Sequence, residues 1–391
     1  MRLFSEKLLL AILVPMLIVL IFMSFYDPYN GSSNPSIGIT YSQHPTSDLP
    51  HPDHVVSNLQ SLGVAHVRLL DPDPEIVRAF SNSGISLLLS IPNTYIHAIA
   101  ANQTKAIKWL YSHVVPFYPR AHITTISVGN DVLASSPELS TSLVKAIQNV
   151  YLALHKLRIH NISVSTTLSF DVITNPFPPS AAEFQKPAAE WMMKPLLDLI
   201  SATNSSFLIN AYPYKLCRSY PAIPIRFALF QNVRHDPMLG VQYQNLFDVM
   251  VDAVISAIAK AGHKNIPVVV TETGWPSDGD VNEREANEVF AKMYNEGLVR
   301  HLKSGIGTPL QREGAAETYI FELLDDETKQ GPESDRHWGI LNRNMTMKYG
   351  IDFSGLHRYS WFELAVKVAN ICLILLIIAS IFVLLLPEDD L

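Results

Sequence analysis

The chain is poor in cysteine, in charge and in clustered basic residues, and each shortage removes a class of function. Only two of its 391 residues are cysteine. Cys372 lies in a terminal apolar run, so Cys217 is the single thiol of the main body. That body closes no internal disulfide and builds no cysteine-rich zinc site. No catalytic context surrounds Cys217, which reads as a partly buried free thiol. Charged residues make up 17% of the chain and the formal net charge is −7. Without a basic block in the interior, no nucleic-acid partner is expected. A Gly-x-Ser-x-Gly elbow is missing, which excludes the common serine-hydrolase arrangement. A His-Glu-x-x-His run is missing too, and His51 and His54 are wrongly spaced to share a helix face, so no metal is expected. The first strand run, Ile37–Tyr41, is followed by Ser-Gln-His-Pro and not by a glycine-rich turn. A dinucleotide cofactor therefore has no seat, and no other cofactor is implied.

What the chain has in excess is apolar sequence: 48% of residues are hydrophobic, and the mean hydropathy is +0.15. Two runs, Leu8–Phe25 and Val368–Leu386, concentrate it. Arg2 and Lys7 precede the first run, as in a secretory signal. It is long for one and no Ala-x-Ala site follows, so an uncleaved signal anchor stays open. The second run is long enough to cross a bilayer. It reads either as a transmembrane anchor with the acidic tip Glu388-Asp389-Asp390, or as a glycolipid-anchor signal with Ser354 and Gly355 as the attachment region. Sequons begin at Asn30, Asn102, Asn161, Asn204 and Asn344. Together these point to the secretory pathway and a membrane-attached protein facing the cell exterior. The expected domains are residues 1–33 (signal or anchor), 34–353 (a catalytic body) and 354–391 (anchor).

Between the ends, β-rich apolar runs alternate with helical patterns. The runs are Ile37–Tyr41, Val64–Leu70, Ile85–Ile91, Ile123–Gly129, Ile162–Thr167, Phe207–Tyr212, Ile266–Thr271 and Glu317–Leu323. Most are continuously apolar, as expected of parallel strands covered on both faces. Helical faces recur between them, among them Val55/Val56/Leu59/Leu62, Leu143/Ala146/Ile147/Val150/Leu154 and Ala286/Val289/Phe290/Met293/Leu298. Eight such units predict an α/β fold, a (β/α)8 TIM barrel acting as a monomer, with a doubly wound open sheet as the rival.

Barrel chemistry sits at the C-terminal ends of strands. The fourth run ends Val128-Gly129-Asn130-Asp131, and the seventh ends Thr271-Glu272-Thr273-Gly274-Trp275. Two carboxyls at opposite strand ends of one barrel mouth suit glycoside hydrolysis. One protonates the departing oxygen; the other attacks the sugar from about 5–5.5 Å away if configuration is retained. Asn130 could hydrogen-bond a sugar hydroxyl, and Trp275 could offer a flat face to a sugar. The competing reading is a pair of structural carboxylates held by arginines.

The segment Val269-Val270-Thr271-Glu272-Thr273-Gly274-Trp275-Pro276-Ser277 resembles the signature of plant endo-β-1,3-glucanases, glycoside hydrolase family seventeen. The likeness extends over roughly residues 36–350. It includes Ile37-Gly38-Ile39-Thr40-Tyr41, Val67-Arg68-Leu69-Leu70-Asp71, Val128-Gly129-Asn130, Ile209-Asn210-Ala211-Tyr212-Pro213-Tyr214 and Gly307-Thr308-Pro309-Leu310. The resemblance implies a (β/α)8 barrel, a retaining mechanism and β-1,3-glucan as substrate. It implies Glu272 as nucleophile and Asp131 as proton donor. It also implies substrate contacts from Tyr41, Arg68, Asn130, Asn210, Tyr212, Trp275, Phe321, Asp326 and Lys329. Three residues depart from the family pattern. Asp131 and Asp326 stand where the family has Glu, and Leu70 where it has Tyr. Each shortened acid retracts its carboxyl by about 1.5 Å. Two functions thus stay open: a membrane-attached endo-β-1,3-glucanase, or a tethered glucan-binding protein with little or no turnover. A scaffold that kept the fold but not the cleft is a third.

Overall fold

The computed structural model describes residues 37–42, 50–186, 188–231, 243–312 and 314–353. The two terminal apolar runs, the Asn30 sequon and the anchor readings lie outside these residues. Among the described residues no helix is long and apolar enough to cross a membrane.

Eight strands form one closed sheet: β1 (Ile37–Tyr41), β2 (His66–Leu69), β3 (Ser86–Ile91), β4 (His122–Asn130), β5 (Ser163–Ser169), β6 (Phe207–Asn210), β7 (Val268–Thr273) and β8 (Thr318–Ile320). Every neighbouring pair is parallel and follows chain order, and β8 closes on β1 through Ile37 opposite Thr318. All eight sequence runs therefore became barrel strands, and the open-sheet alternative is excluded. The helices that return the chain are α1 (Pro52–Ser61), α2 (Pro74–Ala79), α3 (Gln103–His113), α4 (Ser140–Lys156), α5 (Lys194–Ala202), α6 (Pro213–Ser219), α7 (Leu246–Lys260) and α8 (Glu288–Lys303). Asn102, Asn245 and Asn287 cap α3, α7 and α8, each accepting a backbone N–H at 2.8–2.9 Å. Caps of this kind are worth about 1 kcal/mol each.

The face expected for α8 is partly wrong. Val289 and Met293 are exposed, while Ala291, Tyr294, Leu298, Val299 and Leu302 are buried. Apolar residues occupy both sides of this helix, so periodicity alone picked a mixed face. Between β5 and α5 the chain also makes an unexpected excursion, in which Ile173–Thr174 pairs antiparallel with Glu183–Phe184.

Most of the core lies between the sheet and the helices. A second cluster, Leu88, Leu208, Val269 and Tyr319, is separate from it. Alternation along the strands places that cluster inside the barrel, as a packed plug. Further toward the C-terminal ends the buried residues turn polar: Arg68, Ser127, Thr167, Asn210 and Thr271. Buried polar groups must pair with one another, and this layer supports the site.

Candidate active site

Glu272 stands next to last on β7, in register with Asn210 on β6. Arg68, from β2, is fully buried beneath it and donates from Nη1 to Glu272 Oε1 at 2.5 Å. The other oxygen, Oε2, accepts from the hydroxyl of Tyr212. Burial, and then the charge of Glu272, push the Tyr212 phenol well above its ordinary pKa, so it stays a donor. Arg68 Nη2 donates to Asn130 Oδ1 at 2.9 Å. Asn210 Nδ2 donates to the same oxygen at 3.2 Å, and Thr271 Oγ1 donates to Asn210 Oδ1 at 2.9 Å. Strands β2, β4, β6 and β7 are thereby tied into one ring around a single carboxylate. A donor on each oxygen fixes its direction as well as its position.

Asp131 follows directly after β4. Gly129, with φ of +79°, lies where the β4–β5 register shifts, and Asp131 itself adopts a left-handed conformation (φ 54°, ψ 39°). Its backbone N–H donates to Thr167 O at 2.9 Å, which anchors it to β5. Its Oδ1 is buried and finds no hydrogen-bond partner among the described residues. Burial pushes the carboxyl up to about 6, and the charges of Glu272 and Asp171 push in the same direction. The Ser169 backbone N–H and Lys215 pull the other way. An aspartic acid so placed keeps a proton to donate in mildly acidic solution.

Asp131 and Glu272 line the same cavity of about 320 Å³. A larger cavity, about 690 Å³, lies against α7 and α8; its one described carboxylate, Asp248, pairs with His301 at 2.8 Å. Lacking a pair of acids, it is not the site for this chemistry. Cys217 is free, and burial pushes its thiol up to about 12, so it supplies no thiolate. Among the described residues no cluster of His, Cys, Asp and Glu could hold a metal ion.

The remaining residues named from the sequence divide. Asn130, Asn210, Tyr212, Phe321 and Lys329 line the cavity with the two acids. Arg68 lies below it, fully buried, and meets Glu272. Tyr41 is 1% exposed, and its hydroxyl has no partner among the described residues. Trp275 is fully buried; its Nε1 donates to Glu285 O at 2.7 Å, so it presents no face to a sugar. At Gly274 the backbone passes so close to Phe321 that a Cβ there would stand 2.3 Å from Phe321 O. Asp326 is not among the cavity-lining residues; its Oδ1 accepts from Thr328 N at 2.9 Å and Thr328 Oγ1 at 2.6 Å.

The aromatic wall that Trp275 does not provide comes from Trp338, whose ring packs edge-on against Tyr212 at 4.9 Å. Lys215, Asp171 and Asp335 also line the cavity and went unnoticed in the sequence. They lie outside the strand-end motifs, on α6 and on loops, where strand position gives no guide.

The model for Glycosyl hydrolases family 17 matches residues 37–353. The chain is 40% identical over 305 residues to glucan endo-1,3-beta-glucosidase 2 of Arabidopsis thaliana, covering 76% of this chain and 60% of that protein. It is 38% identical over 326 residues to glucan endo-1,3-beta-glucosidase 11 of the same plant, covering 82% of this chain and 76% of that protein. The solved structure of a β-1,3-glucanase and allergen of Cryptomeria japonica pollen superposes with a TM-score of 0.78 at 35% identity, covering 81% of this chain and 99% of that one. With a barrel, a paired-acid cavity and a match across that whole barrel, the chain belongs to glycosyl hydrolase family 17.

Proposed function

We propose that the protein is a glucan endo-1,3-β-glucosidase that cleaves β-1,3-glucan with retention of configuration. One observation carries the reading. Asp131 and Glu272 open into one cavity, one environment favouring a protonated acid and the other holding an oriented carboxylate. Glu272 would attack the anomeric carbon as Asp131 delivers its proton to the departing glycosidic oxygen. The glycosyl–Glu272 ester would then be hydrolysed, with Asp131 taking a proton from the incoming water. Proton and bond counts close over the two steps, so the enzyme is regenerated.

The test is hydrolysis of laminarin, read by new reducing ends and by the anomer first released. The β-anomer is expected from the wild type, and Glu272→Gln should abolish release while sparing laminarin binding. The second reading, binding without turnover, rests on Asp131, whose side chain is one methylene shorter than the family's acid. Wild-type protein that binds laminarin and releases nothing would establish it. Membrane attachment at the cell surface is part of the same proposal. It is supported by the apolar runs Leu8–Phe25 and Val368–Leu386 and by the sequons at Asn102, Asn161, Asn204 and Asn344.

A further inference from the structure

A third carboxylate stands behind the cavity and has no part in the two-acid chemistry. Glu322 follows β8 and is 1% exposed. Its backbone is held on both sides: its N–H donates to Trp338 O at 3.1 Å, and its carbonyl accepts from Ile340 N at 3.0 Å. One carboxylate oxygen accepts from Ser42 Oγ at 3.4 Å. The other accepts from Lys329 Nζ, and the two form an ion pair. Lys329 lines the cavity, and its Nζ lies 4.3 Å from the centre of the Phe321 ring, another lining residue. Glu322 thus holds from behind a cation that faces the cleft. The side chain resembling the family's acid in this loop, Asp326, is instead turned onto Thr328.

We infer that Glu322 is the positioning residue for Lys329, holding its ammonium against the cleft wall as a hydrogen-bond donor to bound glucan. The inference rests on the glucan reading of the cavity. A long lysine has several rotatable bonds, and fixing it before binding spares the entropy of ordering it afterwards. Its contact with a neutral sugar gains from a partner that keeps it in place. Glu322 is buried and is not among the residues that line the cavity, so it acts through the lysine and touches no substrate itself.

The experiment measures laminarihexaose affinity by calorimetry at pH 8, where the Glu322 carboxyl is ionised and pairs with Lys329, in the Glu272→Gln background, and kcat and KM on laminarin in the otherwise native chain. Glu322→Gln should weaken hexaose binding about 10-fold and raise KM, with kcat changed less than about 3-fold. Lys329→Met should show a similar loss. The double variant should be no worse than the worse single one, because both substitutions remove the same contact. Glu322→Asp, the milder change, should fall between wild type and Glu322→Gln. Undiminished affinity in Glu322→Asp and Glu322→Gln would overturn the inference, as would losses that multiply in the double variant. A parent Glu272→Gln protein that binds no laminarihexaose would overturn the glucan reading itself. Binding by that parent with equal binding by the Glu322 variants would overturn this inference alone.

Discussion

Arg68 reaches Glu272 Oε1 at 2.5 Å, and the two side chains are 0% and 6% exposed. The same guanidinium also serves Asn130 on the neighbouring side of the mouth. One planar fork therefore ties the strand that carries Glu272 to the strand that leads into Asp131. A lysine keeps the charge but not the fork. Arg68→Lys is expected to cost about 100-fold or more in kcat/KM, since displacements near 1 Å have effects of this order. Arg68→Met, which leaves the buried carboxylate without its cation, should also destabilise the fold by about 3–5 kcal/mol. Steady-state kinetics on laminarin and a denaturant melt read the two effects separately. A lysine variant within tenfold of wild type would show that Arg68 supplies charge and nothing more.

Asp131 combines a short side chain with a left-handed backbone. Aspartate tolerates that region better than residues with longer aliphatic side chains. Adding a methylene by Asp131→Glu should advance the carboxyl by about 1.5 Å. Turnover is expected to rise about tenfold or more, at a stability cost of up to about 1–2 kcal/mol for the strained backbone. Laminarin hydrolysis and a thermal melt of the same preparation check both parts. An unchanged or lower rate in a folded variant would mean that the shorter acid is already correctly placed.

The barrel was legible because its strands are continuous apolar runs, a pattern that only a sheet covered on both faces makes comfortable. That Asp131 and Glu272 would share one cavity was legible because strand ends are where a barrel exposes chemistry. Trp275 was misjudged for a local reason: nearness to Glu272 in sequence suggested nearness to the cleft, but the indole is fully buried and donates to Glu285 O instead. Trp338 and Lys215 could not be read at all. They meet over Tyr212 only after the loop beyond β8 has folded back against α6: Lys215 Nζ lies 4.7 Å from the centre of the Tyr212 ring. No spacing in the chain records that meeting.

The acid's titration is set by neighbours that can be removed one at a time. Four groups act on Asp131 beyond its burial: Glu272 and Asp171 raise its pKa, while the Ser169 N–H and Lys215 lower it. With Asp131 as the proposed acid, its protonated form is the working one, so the alkaline limb of kcat/KM should fall near pH 6. Lys215→Met removes a lowering influence and should move that limb upward. Asp171→Asn removes a raising influence and should move it downward. Each displacement is expected to be a few tenths of a pH unit, about 0.2–0.5, because solvent screens both partners. Opposite displacements in the two variants are the decisive result; movement in one direction for both would remove Asp131 from the role of acid.

Glu322 gives the fold a pH dependence of definite sign. Burial raises its carboxyl to about 7, with Asp326 and Glu272 adding to the rise and Lys329 opposing it. In the unfolded chain a glutamate titrates near 4.3. The folded state therefore binds the proton more tightly. Its contribution to stability is complete below the unfolded value and is lost as the pH climbs through about 7. Glutamine cannot ionise, so Glu322→Gln should flatten the decline in stability between about pH 4 and pH 7. At pH 8 the variant should exceed the wild type by no more than about 4 kcal/mol, the upper bound set by the size of the shift. At pH 4 the two should lie close together. Melting temperatures measured at intervals across that range test the sign directly. A variant less stable than wild type at pH 8 would mean that the Lys329 pair outweighs the cost of burying the charge.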